Sequence, residues 1–127
     1  MFLGSIVNLV IPLNANLTID QETLKKLTRL HFIAFTDGVL LSNSISELKY
    51  LNYDQRGEVI KTVAEELGSR LPLIVETSHA DLETVIELSL QAQLLGADAC
   101  LIDPPSYSSV LDVYAYFAKI ADKVVIP

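Results

Sequence analysis

The chain has 127 residues, half of them apolar, with a net charge of −7 and a single cysteine. This is enough apolar sequence for one domain with a real core, and it excludes a disordered chain. The negative balance argues against nucleic acid and against an anionic membrane surface, which both require clustered Lys and Arg, and no apolar run approaches the roughly 20 residues of a membrane span.

The start, Met1-Phe2-Leu3-Gly4, lacks a basic segment ahead of a long apolar core, so no signal peptide is read there. A reducing cytoplasm is the expected compartment. Cys100 has no partner for an internal disulfide and is expected to serve as a small apolar residue in a strand.

Ser5 to Leu13 is a near-continuous, branched apolar run and reads as a buried parallel strand. Asn14 to Thr18 is a loop. Asp20 then caps a helix to about Phe35, with Leu24, Leu27, Leu30 and Ala34 on one stripe and Lys25, Lys26 and Arg29 on a solvated face. His31 is expected half-buried on that helix.

Asp37-Gly38 leads into a second strand centred on Val39 to Asn43, and a polar loop follows over Ser42 to Glu47. Asn52 and Gln55 have capping-box spacing for a second helix, with a stripe of Val59, Ile60, Val63, Ala64 and Leu67 closed by Gly68. Tyr50 and Tyr53 flank its start and are expected to pack on it. Pro72 to Val75 is the third strand, ending in Glu76-Thr77-Ser78-His79. Asp81 caps a third helix carrying Val85, Ile86, Leu88, Leu90, Ala92, Leu94 and Leu95, which stops at Gly96.

Ala99 to Ile102 is the fourth strand, followed by Asp103-Pro104-Pro105. Ser109 and Asp112 repeat the capping-box spacing before a stripe of Val110, Val113, Tyr114, Phe117, Ile120 and Ala121. Lys123 to Pro127 begins a fifth strand. The order is βαβαβαβαβ, with crossovers of the length parallel units need. Two architectures share that order, a doubly wound sheet and the first half of a (β/α)8 barrel.

Several stretches bear on the choice. Gly4-Ser5-Ile6-Val7 through Ile11-Pro12-Leu13, Ile19-Asp20, Leu51-Asn52-Tyr53-Asp54-Gln55-Arg56, Leu95-Gly96-Ala97-Asp98-Ala99 and Pro105-Ser106-Tyr107 occur in order and at matching spacing. Together they resemble the amino-terminal half of the dihydrodipicolinate synthase and N-acetylneuraminate lyase family. The resemblance implies a (β/α)8 barrel, usually tetrameric, and class I aldolase chemistry on pyruvate or a related 2-oxo acid. In that chemistry a lysine forms a Schiff base that acts as the electron sink, so no separate cofactor is expected.

The resemblance also assigns residues. The family's Gly-Thr-Thr-Gly-Glu loop, which holds the substrate carboxylate, falls on Asn43-Ser44-Ile45-Ser46-Glu47. Ser44 keeps the first hydroxyl, Ile45 stands where the second belongs, and Glu47 is retained. Asn43 and Ser46 replace both glycines, which permit positive φ and close backbone approach. Tyr107 matches the tyrosine that reaches across a tight dimer into a proton relay. The third-strand loop usually carries glycines; here it reads Glu76-Thr77-Ser78, and an unpaired carboxylate at that rim would repel a 2-oxo acid.

The family's second relay tyrosine follows the fifth strand and its Schiff-base lysine lies on the sixth; neither falls within these 127 residues. Lys25, Lys26, Lys49, Lys61, Lys119 and Lys123 occupy no matching position. Glu76 and Asp103 both lie at strand carboxyl ends, but only His79 shares that layer and nothing fixes a ligand geometry, so no metal is expected. Three readings stay open. The chain is part of a longer Schiff-base enzyme, or a family member that has lost catalysis and kept a binding role, or a half-barrel assembly module. In the last case its open edges would favour a homo-oligomer.

Overall fold

In the computed structural model, residues 2–104 and 109–127 are described. Four parallel strands, β1 (Ile6–Asn8), β2 (Gly38–Leu41), β3 (Leu73–Glu76) and β4 (Ala99–Leu101), alternate with α1 (Gln21–Ile33), α2 (Tyr53–Leu67), α3 (Leu82–Leu94) and α4 (Val110–Ala121). The helices start where the sequence caps them. Asp20 and Asp81 accept from the amides of Thr23 and Thr84, and Asn52–Gln55 and Ser109–Asp112 close reciprocal capping boxes. Gly68 ends α2 in the left-handed region at φ 56°, which costs glycine little.

The spatial order of the sheet is β1-β2-β3-β4, every neighbour parallel. Right-handed crossovers that always step to the next strand in the same direction leave all the helices on one face. A doubly wound sheet reverses direction at a switch point; this sheet does not, so its winding is that of a (β/α) barrel. Burial agrees. Val39, Leu41, Leu73 and Val75 are buried in one cluster with Leu24, Val59, Val63 and Ala92 of the helices, each such side chain contributing about 1.5–3 kcal/mol. On the opposite face, Ile6 and Leu101 are exposed, and Leu40 and Ile74 are only half-buried.

Three expectations change. The first strand is shorter than Ser5–Leu13. Leu9 still donates to the Leu40 carbonyl at 2.9 Å, but β2 then turns away at Ser42 and leaves no partner. Pro12 has no N–H, and Leu13 instead bridges antiparallel to Ile19. The helical stripes are also narrower. In α1 the buried residues are Leu24 and Thr28, whereas Leu30, about 120° round the helix from Leu24, is exposed, as is Ala34. In the same way Leu90 and Leu94 of α3, and Val110, Tyr114 and Ala121 of α4, face outward.

Finally, Lys123–Pro127 forms no strand among the described residues. The segment runs beside β4, joined by Cys100 N–H donating to the Pro127 carbonyl at 2.8 Å, while the Gln93 side chain accepts from Val125 N at 2.7 Å. His31 is half-buried as expected. No helix among the described residues is long and apolar enough to cross a membrane.

Candidate active site at the strand carboxyl ends

Parallel (β/α) units place their chemistry in the loops after the strands. The loop after β2 is the most structured of these. Ser42 and Ser46 are both buried and hold each other: Ser42 N–H donates to Ser46 Oγ at 3.0 Å, and Ser42 Oγ accepts from the amides of Ile45 at 3.0 Å and Ser46 at 3.4 Å. The Ser46 hydroxyl reaches β1, facing the Leu9 carbonyl and Asn8 Oδ1. The loop is thus pinned to two strands.

Within this frame the sequence-predicted residues separate. Ser44 is exposed, and its hydroxyl makes no hydrogen bond to a described residue. Ile45 is exposed beside it. Glu47 points elsewhere, lining a hollow of about 200 Å³ with Ile11, Leu13, Leu17 and Tyr50. Tyr107 lies outside the described residues. Tyr50 and Tyr53 are exposed rather than packed on α2, and Lys49 sits 5.0 Å over the Tyr50 ring.

The glycine replacements also read differently in three dimensions. Neither Asn43 nor Ser46 takes a positive φ; the left-handed residue is Glu47, at φ 59°, which starts the 3-10 turn Leu48–Tyr50. The loop therefore keeps its shape without glycine at 43 and 46. A non-glycine residue in that region costs about 1 kcal/mol, offset here by the pinned serines.

A network that sequence reading missed joins the ends of β2 and β3. Asn43 N–H donates to Glu76 Oε2 at 2.9 Å, and Asn43 Nδ2 donates to Glu76 Oε1 and to the Ser78 carbonyl, both at 3.1 Å. Arg56, from the first turn of α2, is 3 % exposed. Its Nη2 donates to the Glu76 carbonyl, and its Nη1 lies 3.5 Å from Asn43 Oδ1. Its Nε is buried with no protein partner among the described residues.

Burial pulls the guanidinium down to about 10, with Cys100 and the Glu76 carboxylate acting in the opposite direction, so it stays charged at neutral pH. The signal for this network was present as two separate oddities, Asn43 and Glu76, each standing where a glycine was expected. Both are one feature, because their side chains hold each other.

Behind Glu76, Thr77 and Ser89 share a hydrogen bond of 2.8 Å in the core. Cys100 is half-buried beside them, and burial pushes its thiol up, so it is protonated at neutral pH. Ser78 Oγ accepts from Asp103 N–H at 2.9 Å, tying the third-strand loop to the fourth. Each of the six lysines is exposed, and none projects from a strand.

A one-way parallel sheet with a pinned polar loop at its strand ends defines the chain as a (β/α)-barrel protein. The chain matches the model of the Dihydrodipicolinate synthetase family over residues 1–127 and belongs to that family. The 4-hydroxy-tetrahydrodipicolinate synthase of Pelobacter propionicus is 37% identical over 129 residues, covering 100% of this chain and 44% of the relative. That of Coxiella burnetii strain RSA 493 is 35% identical over 126 residues, covering 98% of this chain and again 44% of the relative.

The crystal structure of the chloride-inhibited dihydrodipicolinate synthase from Acinetobacter baumannii, complexed with pyruvate, superposes with a TM-score of 0.92 at 29% identity. It is covered to 44%, and this chain to 100%. The chain therefore spans less than half the length of these relatives, and its fold is the first half of their barrel.

Proposed function

We infer that this chain supplies the carboxylate-binding end of a Schiff-base, aldolase-type site for pyruvate or a related 2-oxo acid. The observation that carries the reading is the loop after β2. It is pinned by Ser42 and Ser46 and leaves the Ser44 hydroxyl exposed, with no hydrogen-bond partner among the described residues, at the carboxyl end of a strand. Family membership and the pyruvate bound to a relative of 29% identity support it. In this reading the Ser44 hydroxyl holds the substrate carboxylate, since the amides of Asn43, Ile45 and Ser46 are bonded to Glu76 and Ser42, and Ile45 narrows the pocket where a second hydroxyl is lost. Glu47 keeps the loop's turn, and Tyr107 serves a proton relay across a dimer. The lysine belongs to a further strand of the barrel. The compartment is the cytoplasm, and no cofactor beyond the lysine is needed.

A second reading is favoured by the exposed lysines and by Ile45: an inactive half barrel that binds or assembles through its free edges. Borohydride trapping with labelled pyruvate tests the first. No adduct is expected on these 127 residues, and label on any of the six lysines would overturn the assignment. A lysine on the sixth strand in the sequence following Pro127, trapped in the longer protein, supports the first reading. A longer protein that stays unlabelled supports the second.

A further inference from the structure

The loop after β2 holds a contact that carboxylate binding at Ser44 does not require. Ser42 is 2% exposed, and its Oγ accepts from the Ile45 amide at 3.0 Å and, over a longer distance, from the Ser46 amide at 3.4 Å. Two backbone donors therefore converge on one oxygen that the chain itself supplies. Ser42 cannot shift to follow a moving loop. Its own N–H donates to Ser46 Oγ at 3.0 Å, and its carbonyl accepts from the Leu48 amide at 3.2 Å.

A trans peptide directs its N–H and its C=O to opposite sides. With the Ile45 N–H aimed at the buried Ser42, the Ser44 carbonyl points away from it, and it accepts from no described residue. The outward edge of that peptide is thus an oxygen, beside the Ser44 hydroxyl, where a carboxylate needs donors. Turning the peptide over requires rotation only about Ser44 and Ile45, which are both exposed, and breaks one hydrogen bond to Ser42. The Ile45 N–H would then join the Ser44 hydroxyl as a second donor. A carboxylate is a stronger acceptor than a neutral hydroxyl, but the hydroxyl of Ser42 is already in place and loses no translational freedom by binding.

We propose that Ser42 is a positioning residue that latches the Ile45 amide inward and so restrains carboxylate binding at this loop to the Ser44 side chain. The proposal rests on the 2-oxo acid reading of the loop and adds the group that holds the second donor back. Ser42 touches no ligand in this scheme; it acts through the orientation of the Ser44–Ile45 peptide.

The test is a nitrogen-15 NMR titration of the chain with pyruvate, following the Ser44 and Ile45 amides. In the unaltered chain the Ser44 signal is expected to move, and the Ile45 amide proton is expected not to move downfield. Ser42→Ala removes the inward acceptor. It is expected to bind pyruvate about fivefold more tightly, the gain of one net hydrogen bond, with the Ile45 proton moving downfield at saturation. Ser42→Thr keeps the hydroxyl and is expected to restore the behaviour of the unaltered chain. Ser46→Ala loosens the loop but leaves the Ile45 amide on Ser42, and is expected to weaken binding.

A downfield shift of the Ile45 proton in the unaltered chain overturns the proposal, and that measurement needs no variant to fold. Ser42→Ala binding no more tightly overturns it too, as does an equal gain in Ser46→Ala, which would make loop looseness the cause. In each case a Ser44 response to pyruvate leaves the parent reading standing. If pyruvate moves Ser44 in neither the unaltered chain nor Ser42→Ala, both fall.

Discussion

Between β2 and β3 the chain uses buried polar groups to hold two strand ends together; between β4 and α4 it leaves apolar side chains in the open. Around the first pair, Ser42, Ser46, Asn43, Glu76 and Arg56 bond to one another or to backbone. Beyond β4 a small cluster of Val85, Ile120 and Val124 borders a hollow of about 580 Å³ lined by Leu101, Phe117 and Ile126. Val125 is 87% exposed there and Tyr114 75%. The same βα unit is thus finished in two ways. The polar flank has its partners within the described residues, whereas the apolar flank leaves large apolar side chains uncovered by any of them.

The difference can be broken by mutation, and the largest effect is expected at Arg56. Arg56→Ala removes a buried side chain and leaves the Glu76 carbonyl and Asn43 Oδ1 without their donor, for a loss of about 3 kcal/mol. Urea unfolding measures it; a loss below about 1 kcal/mol would mean that the polar flank is not held through Arg56.

Next come the two serines of one loop. Ser46→Ala should cost about 2 kcal/mol, since the Ser42 amide loses its acceptor and the Leu9 carbonyl its donor. Ser44→Ala should stay within about 0.5 kcal/mol. Equal losses in thermal unfolding would erase the division between a structural and a free hydroxyl.

The smallest effect belongs to the helix caps and sharpens the comparison at acid pH. Amide hydrogen bonds from Thr23 and Thr84 hold Asp20 and Asp81 below their ordinary value of 3.8, and the Ser109 side chain does the same for Asp112. Folded pKa values below the unfolded ones stabilise above the unfolded value, and that stabilisation is lost as pH falls through the folded values. Stability should therefore decline below pH 3.8. Asp112→Ala at neutral pH should speed hydrogen exchange in α4, on the thin flank, and leave α2 unchanged. Equal acceleration in α2 would show that the flanks open as one unit.

Local patterns carried much of the fold. Asp20, Asn52, Asp81 and Ser109 marked helix starts that the structure confirms, because a cap acts within three residues of itself. The stripes of α1, α3 and α4 were drawn too wide, since periodicity marks which residues are apolar but not how far the neighbouring element extends. Leu30, Leu94 and Tyr114 are largely exposed among the described residues. At the site, the resemblance located the loop at Asn43–Glu47 but treated its residues one at a time. Ser46 looked like a lost glycine and is instead a buried hydroxyl joining β2 to β1.

By itself the sequence determined four βα units, their caps and the polar loop after the second strand, since each depends on residues close together in the chain. The family resemblance already implied the one-way winding of a barrel, which the sheet order bears out; tertiary structure alone decided that Ser46 is structural while the Ser44 hydroxyl has no partner among the described residues. It also decided that Asn43 and Glu76, 33 residues apart, form one carboxylate clamp. Strand register brings those groups into contact, and register depends on how whole elements pack, which no short stretch of this chain specifies.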